Sequence, residues 1–444
     1  MALTPPRFFV ADDKFGDVIR RIAWGSSSVE RLQPAQVVNH FRNAVLFSQK
    51  DVFARALYAY ECCGDAGEEA AVGAAAAVVA QERLPEVDTF YPRTFDLVQR
   101  EDTVLLQEWF LYSQALAVAK SYAAHGAGGA AHEDLMLSTA MALLTVVIEH
   151  GPVFFSRMQR NRAFAWPRVT ILDVGAPQWE PLRRSTIKRM LETLKSLDPQ
   201  FHAVGYENQN VWICKPSNLS QGRGIHLLTS LDAILALQTQ DTGARRRNNV
   251  AGSEQQSPPK WVVQKYIERP LLGLQRGRKF DPFSLDVDRL DNEFVHLSNY
   301  SVQCKSVAEN APRELTGEDG SPQELMWDSD TFQAHLRNEH GRDMWNESIV
   351  PQMHHAIRVA IQSTASKLTN VGRGFEWLGL DFLLDENYRV WLLEVNVSPD
   401  VSHSTDVTAN LVPKATEDLL ELVLDGTASP ENGWIPLPDL VREA

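Results

Sequence analysis

Four cysteines in 444 residues, no apolar run long enough to span a bilayer and an excess of acid over base (43 Lys and Arg against 57 Asp and Glu) each exclude something. Cys62, Cys63, Cys214 and Cys304 show no metal-ligand spacing, and two of them are adjacent. They read as reduced thiols of a cytosolic protein. Cys214 stands beside Lys215, as an activated nucleophile would, but no His is close by in sequence, and a small apolar strand residue is the simpler reading. Met-Ala-Leu-Thr-Pro-Pro-Arg at the N-terminus lacks a signal-peptide pattern, so neither secretion nor a membrane span is expected. A net charge of −14 argues against a general nucleic-acid binder and leaves room for local basic patches that grip an acidic partner. No internal repeat is present. What is present is 44% hydrophobic content over a length that builds two or three domains.

The first part of the chain, to about His132, reads as helical and accessory, with an amphipathic helix over Thr103–Lys120 led in by Asp102. Ala70–Ala80 is either an Ala-rich helix or low-complexity filler. Arg157, Arg160, Arg162, Arg168, Arg183, Arg184, Lys188 and Arg189 cluster between Pro152 and Arg189, as a solvated face or as a groove for an acidic polypeptide. Beyond them the pattern turns to strands at Val211–Pro216, Ile225–Leu228, Trp261–Ile267 and, shorter, Val295–Tyr300. A helix is expected over Ser230–Gln240 from its Ser/Asp cap, others over Asp330–Asn338, Ser348–Thr369 and Ala415–Leu424, and a polar loop over Asp241–Pro259.

The most informative stretch is Trp377-Leu-Gly-Leu-Asp381-Phe-Leu-Leu-Asp385 through Trp391-Leu-Leu-Glu394-Val-Asn396-Val-Ser-Pro399. It reads as two apolar strands joined at Asp385-Glu386-Asn387. A turn between Asn387 and Tyr388 sets Asp381 opposite Glu394, with Asn396 on the same face by period-two alternation. Two carboxylates roughly 5 Å apart among Leu and Trp repel each other unless a cation lies between them. Two carboxylates and an amide oxygen suit Mg²⁺, which with few protein ligands usually also holds nucleotide phosphates. The plainer alternative is an edge hairpin with its acidic face in water.

Two further signals are weaker singly. Lys215 ends a strand and precedes a loop with Gly222 and Gly224, so an ammonium and backbone N–H groups can meet phosphate oxygens; any hairpin with a Gly turn looks the same. Unlike a P-loop, the Lys precedes the glycines and a strand follows. Gln264-Lys265-Tyr266-Ile267 ends a strand before Pro270, where backbone groups and an amide can face an adenine edge, or where core simply meets a turn. His296-Leu-Ser298-Asn299 adds two short polar groups.

The order of these segments resembles the ATP-grasp fold, and closely the tubulin tyrosine ligase-like family. The matching strings are Trp212-Ile-Cys-Lys215-Pro-Ser, Gly222-Arg223-Gly224-Ile225, Trp261 to Leu272, Gly277-Arg-Lys279-Phe-Asp281, His296-Leu-Ser-Asn299, and the hairpin from Gly379 to Pro399, about half the chain. Asn39-His-Phe, Lys50, Phe90-Tyr-Pro-Arg93 with Trp109-Phe110, Met326-Trp327 with Phe332-Gln-Ala-His-Leu, and Ser404-Thr405-Asp-Val-Thr-Ala409 point to the monoglycylase branch. The resemblance implies an α/β ATP-grasp fold with a helical N-terminal accessory region (1–132), a central subdomain with the Gly loop (133–270), a C-terminal subdomain with the Mg²⁺ site (271–426) and a tail (427–444). It further implies ATP phosphates on Lys215 and Lys279 under a closing loop of Gly222, Arg223, Gly224 and Ile225. Adenine would meet Gln264, Lys265, Tyr266 and Ile267; Ser298 and Asn299 would assist near the ribose and phosphates. Asp281 would lie by the ATP and acceptor site, as a catalytic residue with Lys279, and Mg²⁺ on Asp381, Glu394 and Asn396. By the same resemblance the reaction joins glycine to glutamate side chains in acidic tubulin tails, by a monomer of the cytoplasmic cytoskeleton and of the axoneme of a cilium or flagellum. Glutamate or tyrosine ligation, or an inactive microtubule-binding module, are the alternatives, because fold and ATP site do not select the amino acid.

One departure stands out. After Lys-Phe-Asp the family continues Ile-Arg and runs through strands with a second Arg before Pro-Phe-Ser-Leu-Asp. Here Asp281 is followed at once by Pro282-Phe-Ser-Leu-Asp286. A length of two to three strands, at about 5–6 residues each plus turns, is missing with both arginines. Since both flanks keep the pattern, an omitted exon accounts for this more simply than evolved loss.

Overall fold

The computed structural model describes residues 8–9, 37–39, 41, 43–63, 86–126, 131–155, 180–217, 219, 222–239, 260–271, 283–297, 302, 327–368, 375–402, 405–425 and 431–437. Ala70–Ala80 and Asp241–Pro259 lie outside the described residues. The chain forms two compact units, each discontinuous in sequence: Ala54–Pro312 with Leu383–Leu392, and Met1–Phe53 with Arg313–Phe382 and Leu393–Ala444. The expected boundaries near 132, 270 and 426 run in chain order instead. Strands are numbered from a two-residue parallel pair, β1 (Phe8–Phe9) and β2 (Val37–Val38).

The first unit is built on an antiparallel sheet of β3 (Thr94–Asp96), β4 (Trp212–Pro216), β5 (His226–Leu228) and β6 (Trp261–Lys265), in the order β3-β6-β4-β5. The register pairs Ile213 with both Gln264 and Leu227, Lys215 with Val262, and Thr94 with Gln264. Partners across a ladder share a face, as do alternate residues along a strand. Thr94, Ile213, Lys215, Leu227 and Gln264 therefore line one face; Phe95, Trp212, Cys214 and Val263 line the other.

That second face is covered by helices. After α1 (Lys50–Cys63) come α2 (Arg100–His125), α3 (Ala131–His150) and α4 (Glu180–Leu197). Trp109 and Leu116 of α2, Leu144 of α3 and Leu194 of α4 pack with Phe95, Trp212, Cys214 and Val263 in one core. Each such side chain contributes about 1.5–3 kcal/mol when fully buried. The helix expected in an accessory region is thus part of the sheet's own core. Glu101 and Asp102 occupy its positive first turn, and Asp102 Oδ2 also accepts from the Asp96 N–H (2.9 Å). On its inner face the Lys120 ammonium donates to the Phe201 and Val204 carbonyls, both at 2.6 Å. Burial brings that amine's pKa down to about 7.

The C-terminus of α2 explains one member of the cationic stretch. Arg184 on α4 donates through Nε and Nη2 to Ala123 O (3.0 and 2.8 Å) and through Nη2 to Ala124 O (2.9 Å). It satisfies carbonyls that a helix end leaves without partners and complements the helix dipole. A groove of free arginines is not what Arg184 belongs to, and Arg157, Arg160, Arg162 and Arg168 lie outside the described residues. Exposed basic groups at Lys188 and Arg189 remain on α4. Arg184→Glu is expected to cost about 1–2 kcal/mol, as a lower denaturant midpoint at unchanged slope. A midpoint equal to the parent's would contradict this capping role.

Two short helices complete this unit, α5 (Leu231–Ala236), capped by Ser230, whose Oγ accepts from the Ala233 N–H (3.4 Å), and α6 (Glu293–His296). The latter corrects the expectation of a strand from Val295. Asn292 Oδ1 accepts from the Phe294 N–H (3.0 Å), an N-cap that starts a helical turn where composition alone suggested extension.

The second unit holds α7 (Ser329–His340), α8 (Val350–Ala365) and α9 (Asp406–Asp425). Asp328 caps α7 by accepting from the Thr331 N–H (2.7 Å), and Gly341 ends it in the left-handed conformation (φ 66°). A π-helical turn over Trp345–Ile349 leads into α8. α9 begins well before the expected Ala415: Thr405 Oγ1 accepts from the Thr408 N–H (3.1 Å), and Pro413 is accommodated inside. Part of the expected tail is also built in. The Gly433 N–H donates to Asp418 Oδ2 (2.9 Å), Trp434 Nε1 to Ala415 O (2.9 Å), and the Trp434 ring stands edge-on to Trp377 at 5.7 Å.

Candidate functional site

The face of the sheet turned away from the helices brings Lys215 and Gln264 together. Lys215 Nζ donates to Gln264 Oε1 (2.8 Å), and Gln264 Nε2 donates to Thr94 Oγ1 (2.9 Å), which donates to Pro92 O (2.6 Å). All three side chains are buried. An ammonium held by an amide at a strand end is a positive charge fixed in place. Thr94 had no sequence signal, because a three-residue strand is too short for alternation to show.

Beyond β4, Gly222 and Gly224 both have positive φ (72° and 70°), and Arg223 between them is exposed. A Cβ on Gly224 would come to 3.1 Å from Pro216 Cγ, so the turn requires glycine for conformation and for space. Ile225 follows, half-buried against Val211, Leu227, Leu285 and Leu290.

Alternation separates the four residues at the exit of β6. Gln264 and Tyr266 lie on the Lys215 face. Lys265 points the other way: its Nζ donates to Val211 O (2.8 Å) and pairs with the Glu268 carboxylate. Burial lowers its pKa, while Glu268 opposes that shift. Glu268 also accepts from the Gly205 and Val211 N–H groups (2.6 and 2.9 Å), so it staples the strand exit to the turn before β4. Ile267 packs with Ala203 and Trp391. The Lys265 and Ile267 side chains are therefore committed to the core, and only their backbone groups remain as candidate contacts. Lys279, Asp281, Ser298 and Asn299 lie outside the described residues. Cys214 is buried on the helix side, and burial pushes its thiol pKa well up, as suits an inert strand residue.

The hairpin is present as β7 (Gly379–Leu384) and β8 (Val390–Asn396). Its turn differs from expectation. Asp385 O accepts from the Tyr388 N–H (2.9 Å), the Asp385 N–H donates to Arg389 O (3.1 Å), and Tyr388 takes positive φ (58°). This is a three-residue loop closing at Asp385 and Arg389. It is organised by the buried Asp385 carboxylate, which accepts from the Asn387 and Arg389 N–H groups and from Trp391 Nε1. Asp381, Glu394 and Asn396 belong to the second unit. There Asn396 Nδ2 lies 3.4 Å from Asp381 Oδ2, so these two share a face. Glu394 Oε2 is 3.3 Å from Lys50 Nζ at the start of α1. A cation thus already stands against Glu394, while Asp381 and Asn396 are the pair brought together; two carboxylates and an amide are the donor types that suit a hard cation. Among the described residues no three His, Cys, Asp or Glu side chains gather for a metal.

The family model described as "Tubulin-tyrosine ligase family" matches residues 177–281 and 281–432, more than half of the sequence. The chain belongs to the tubulin-tyrosine ligase family. Its match comes in two stretches that meet at Asp281. Among relatives, Tubulin glycylase 3A of Drosophila melanogaster is 33% identical over 282 residues, 58% of this chain and 26% of its own length. Tubulin monoglycylase TTLL3 of Homo sapiens is 34% identical over 264 residues (53% and 31%). Protein monoglycylase TTLL8 of Mus musculus is 30% identical over 264 residues (53% and 29%). The chain thus spans between a quarter and a third of the length of these family members. No helix among its described residues is long and apolar enough to cross a membrane.

Proposed function

We propose that this chain is an ATP-grasp ligase that joins glycine through an isopeptide bond to glutamate side chains in acidic tubulin tails. The carrying observation is the Lys215–Gln264 pair on the sheet face turned away from the helices, within the region that the family model matches. The relatives' names support glycine and tubulin as substrates. In this reading the γ-phosphoryl of ATP passes to a glutamate carboxylate and ADP leaves. The α-amine of glycine then attacks the acyl carbon, loses a proton, and phosphate leaves. Lys215 and Lys279 meet phosphate oxygens beneath the Gly222–Gly224 turn. Gln264, Tyr266 and the backbone of Lys265 and Ile267 meet adenine, Ser298 and Asn299 lie near ribose and phosphates, and Asp281 lies near the acceptor. Asp381, Glu394 and Asn396 hold Mg²⁺, which when bound offsets phosphate charge. Such an enzyme acts on the cytoskeleton, the axoneme included, and as a monomer.

Incorporation of labelled glycine and, separately, glutamate into tubulin with ATP tests this. Glycine alone should be taken up. Uptake of glutamate instead would move the chain to the glutamylating ligases.

Glu394→Gln should weaken Mg²⁺-dependent ATP binding by at least about tenfold, since it removes a ligand charge. Its pairing with Lys50 is partly exposed, and the fold should lose no more than about 1 kcal/mol. Equal Mg-ATP affinity for variant and parent in calorimetry would remove the metal assignment. Binding to acidic tail peptides, tested with Lys188→Glu and Arg189→Glu and not with the capping Arg184, should fall as salt rises, because exposed charges are screened over about 8 Å at physiological ionic strength.

A further inference from the structure

The sheet face that carries Lys215 and Gln264 is covered by a later part of the same chain. Leu285 and Leu290 pack with Val211 and Leu227, and Phe283, Ile225 and Tyr266 pack against that cluster. Leu297 and Val302 pack with Ile213, and Phe294, Ile225 and Tyr266 pack against that cluster. Leu285, Leu290 and Leu297 are 5–7% exposed, so all three are buried.

Polar contacts fix the cover. His296 Nε2 is 3.2 Å from Arg289 O, and a carbonyl can only accept, so Nε2 carries the proton. In a neutral ring Nδ1 then accepts from the Tyr266 hydroxyl, also at 3.2 Å. The His296 ring stands edge-on to both Tyr266 and Phe283. Ile225 and Tyr266, two residues that nucleotide recognition requires, are thereby engaged by Phe283–Leu297.

We infer that Phe283–Leu297 is an autoinhibitory cover that competes with the nucleotide for the Ile213, Ile225 and Tyr266 face of the sheet. This rests on the nucleotide reading of that face. ATP then binds only the fraction of molecules in which the cover has lifted, and the apparent dissociation constant is the intrinsic one divided by that fraction.

Calorimetry with Mg-ATP on the full chain, the double variant Leu285→Ser with Leu290→Ser, and Lys215→Met tests this. The double variant should bind at least about tenfold more tightly than the parent, and Lys215→Met should bind more weakly. Hydrogen exchange on the parent is the second readout: saturating Mg-ATP should speed exchange across 283–297. Unchanged affinity in a double variant whose circular dichroism matches the parent overturns the cover and leaves the nucleotide reading standing. So does exchange at 283–297 that ATP slows or leaves alone. Absence of Mg-ATP binding in both parent and double variant overturns both. If the double variant does not fold, the exchange result on the parent decides.

Discussion

Glycine ligation to tubulin by the 444-residue chain is expected to be slower by at least about 10²–10³-fold than by a chain in which the residues between Asp281 and Pro282 are restored. The family match breaks and resumes at Asp281, where the resemblance calls for two arginines and two to three strands. A guanidinium is suited to an acyl-phosphate because its planar fork meets two oxygens at once and keeps its charge at any working pH. Losing one preorganised donor to developing negative charge typically costs about 10²–10³ in rate, and here two are missing. Lys215 and Gln264 lie outside the gap, so ATP binding should survive in part while chemistry suffers. A folding defect is the competing outcome, since absent strands leave unpaired edges. Circular dichroism with a melting curve separates the two, because a misfolded chain loses binding and chemistry together. Robust ligation by the chain as it stands would overturn the role assigned to those arginines.

The parts that the sequence made legible are those where one short pattern has one outcome. β4, β5, β6 and the hairpin are short apolar runs bounded by turn residues, and their length and flanks favour strands over helices. α2 and α7 announce themselves by acidic first turns and periodic apolar residues. Face assignments were harder. Gln264 and Lys265 are neighbours, so alternation puts them on opposite faces, but nothing local says that Lys265 goes inward. Glu268 decides it, by offering a buried carboxylate just past the strand exit. Arg184 looked like one more cation in a basic stretch, and only the end of α2, about sixty residues earlier, gives it a task. The Lys50–Glu394 pair joins residues hundreds of positions apart and had no local signal. His296 shows the opposite failure: Val-His-Leu suggests extension, yet the Asn292 cap imposes a helical turn. Local pattern fixes elements, and distant polar partners fix the direction in which their charged side chains point.

Arg93→Met is expected to destabilise the first unit by about 3–5 kcal/mol, the largest single-residue effect on the fold. Arg93 precedes β3 and is buried, with Nε on Asp88 Oδ2 (2.8 Å), Nη2 on Asp198 Oδ1 (2.6 Å) and its guanidinium 3.8 Å above the centre of the Trp109 ring. Two carboxylates hold its pKa above the ordinary value against the opposing effect of burial. Tyr112 donates to the other oxygen of Asp198 (2.8 Å), and the Arg93 N–H donates to Gln200 Oε1 (3.0 Å), which ties α2, the turn after α4 and the start of β3 into one network. Methionine fills much of the same volume but leaves Asp88 and Asp198 charged and buried with no cation between them. Arg93→Lys should recover only part of the loss, because an ammonium cannot reproduce the two-pronged fork or the stacking on Trp109. Replacing the aspartates as well, in Arg93→Met with Asp88→Asn and Asp198→Asn, should recover more than the Lys variant does, since the penalty is the stranded charge and not the missing attraction. Urea unfolding at neutral pH reads all three as shifts in midpoint. A loss under about 1 kcal/mol for Arg93→Met, or a triple variant no more stable than the single one, would show that the network is spectator packing and that Trp109 and its neighbours alone hold this corner of the core.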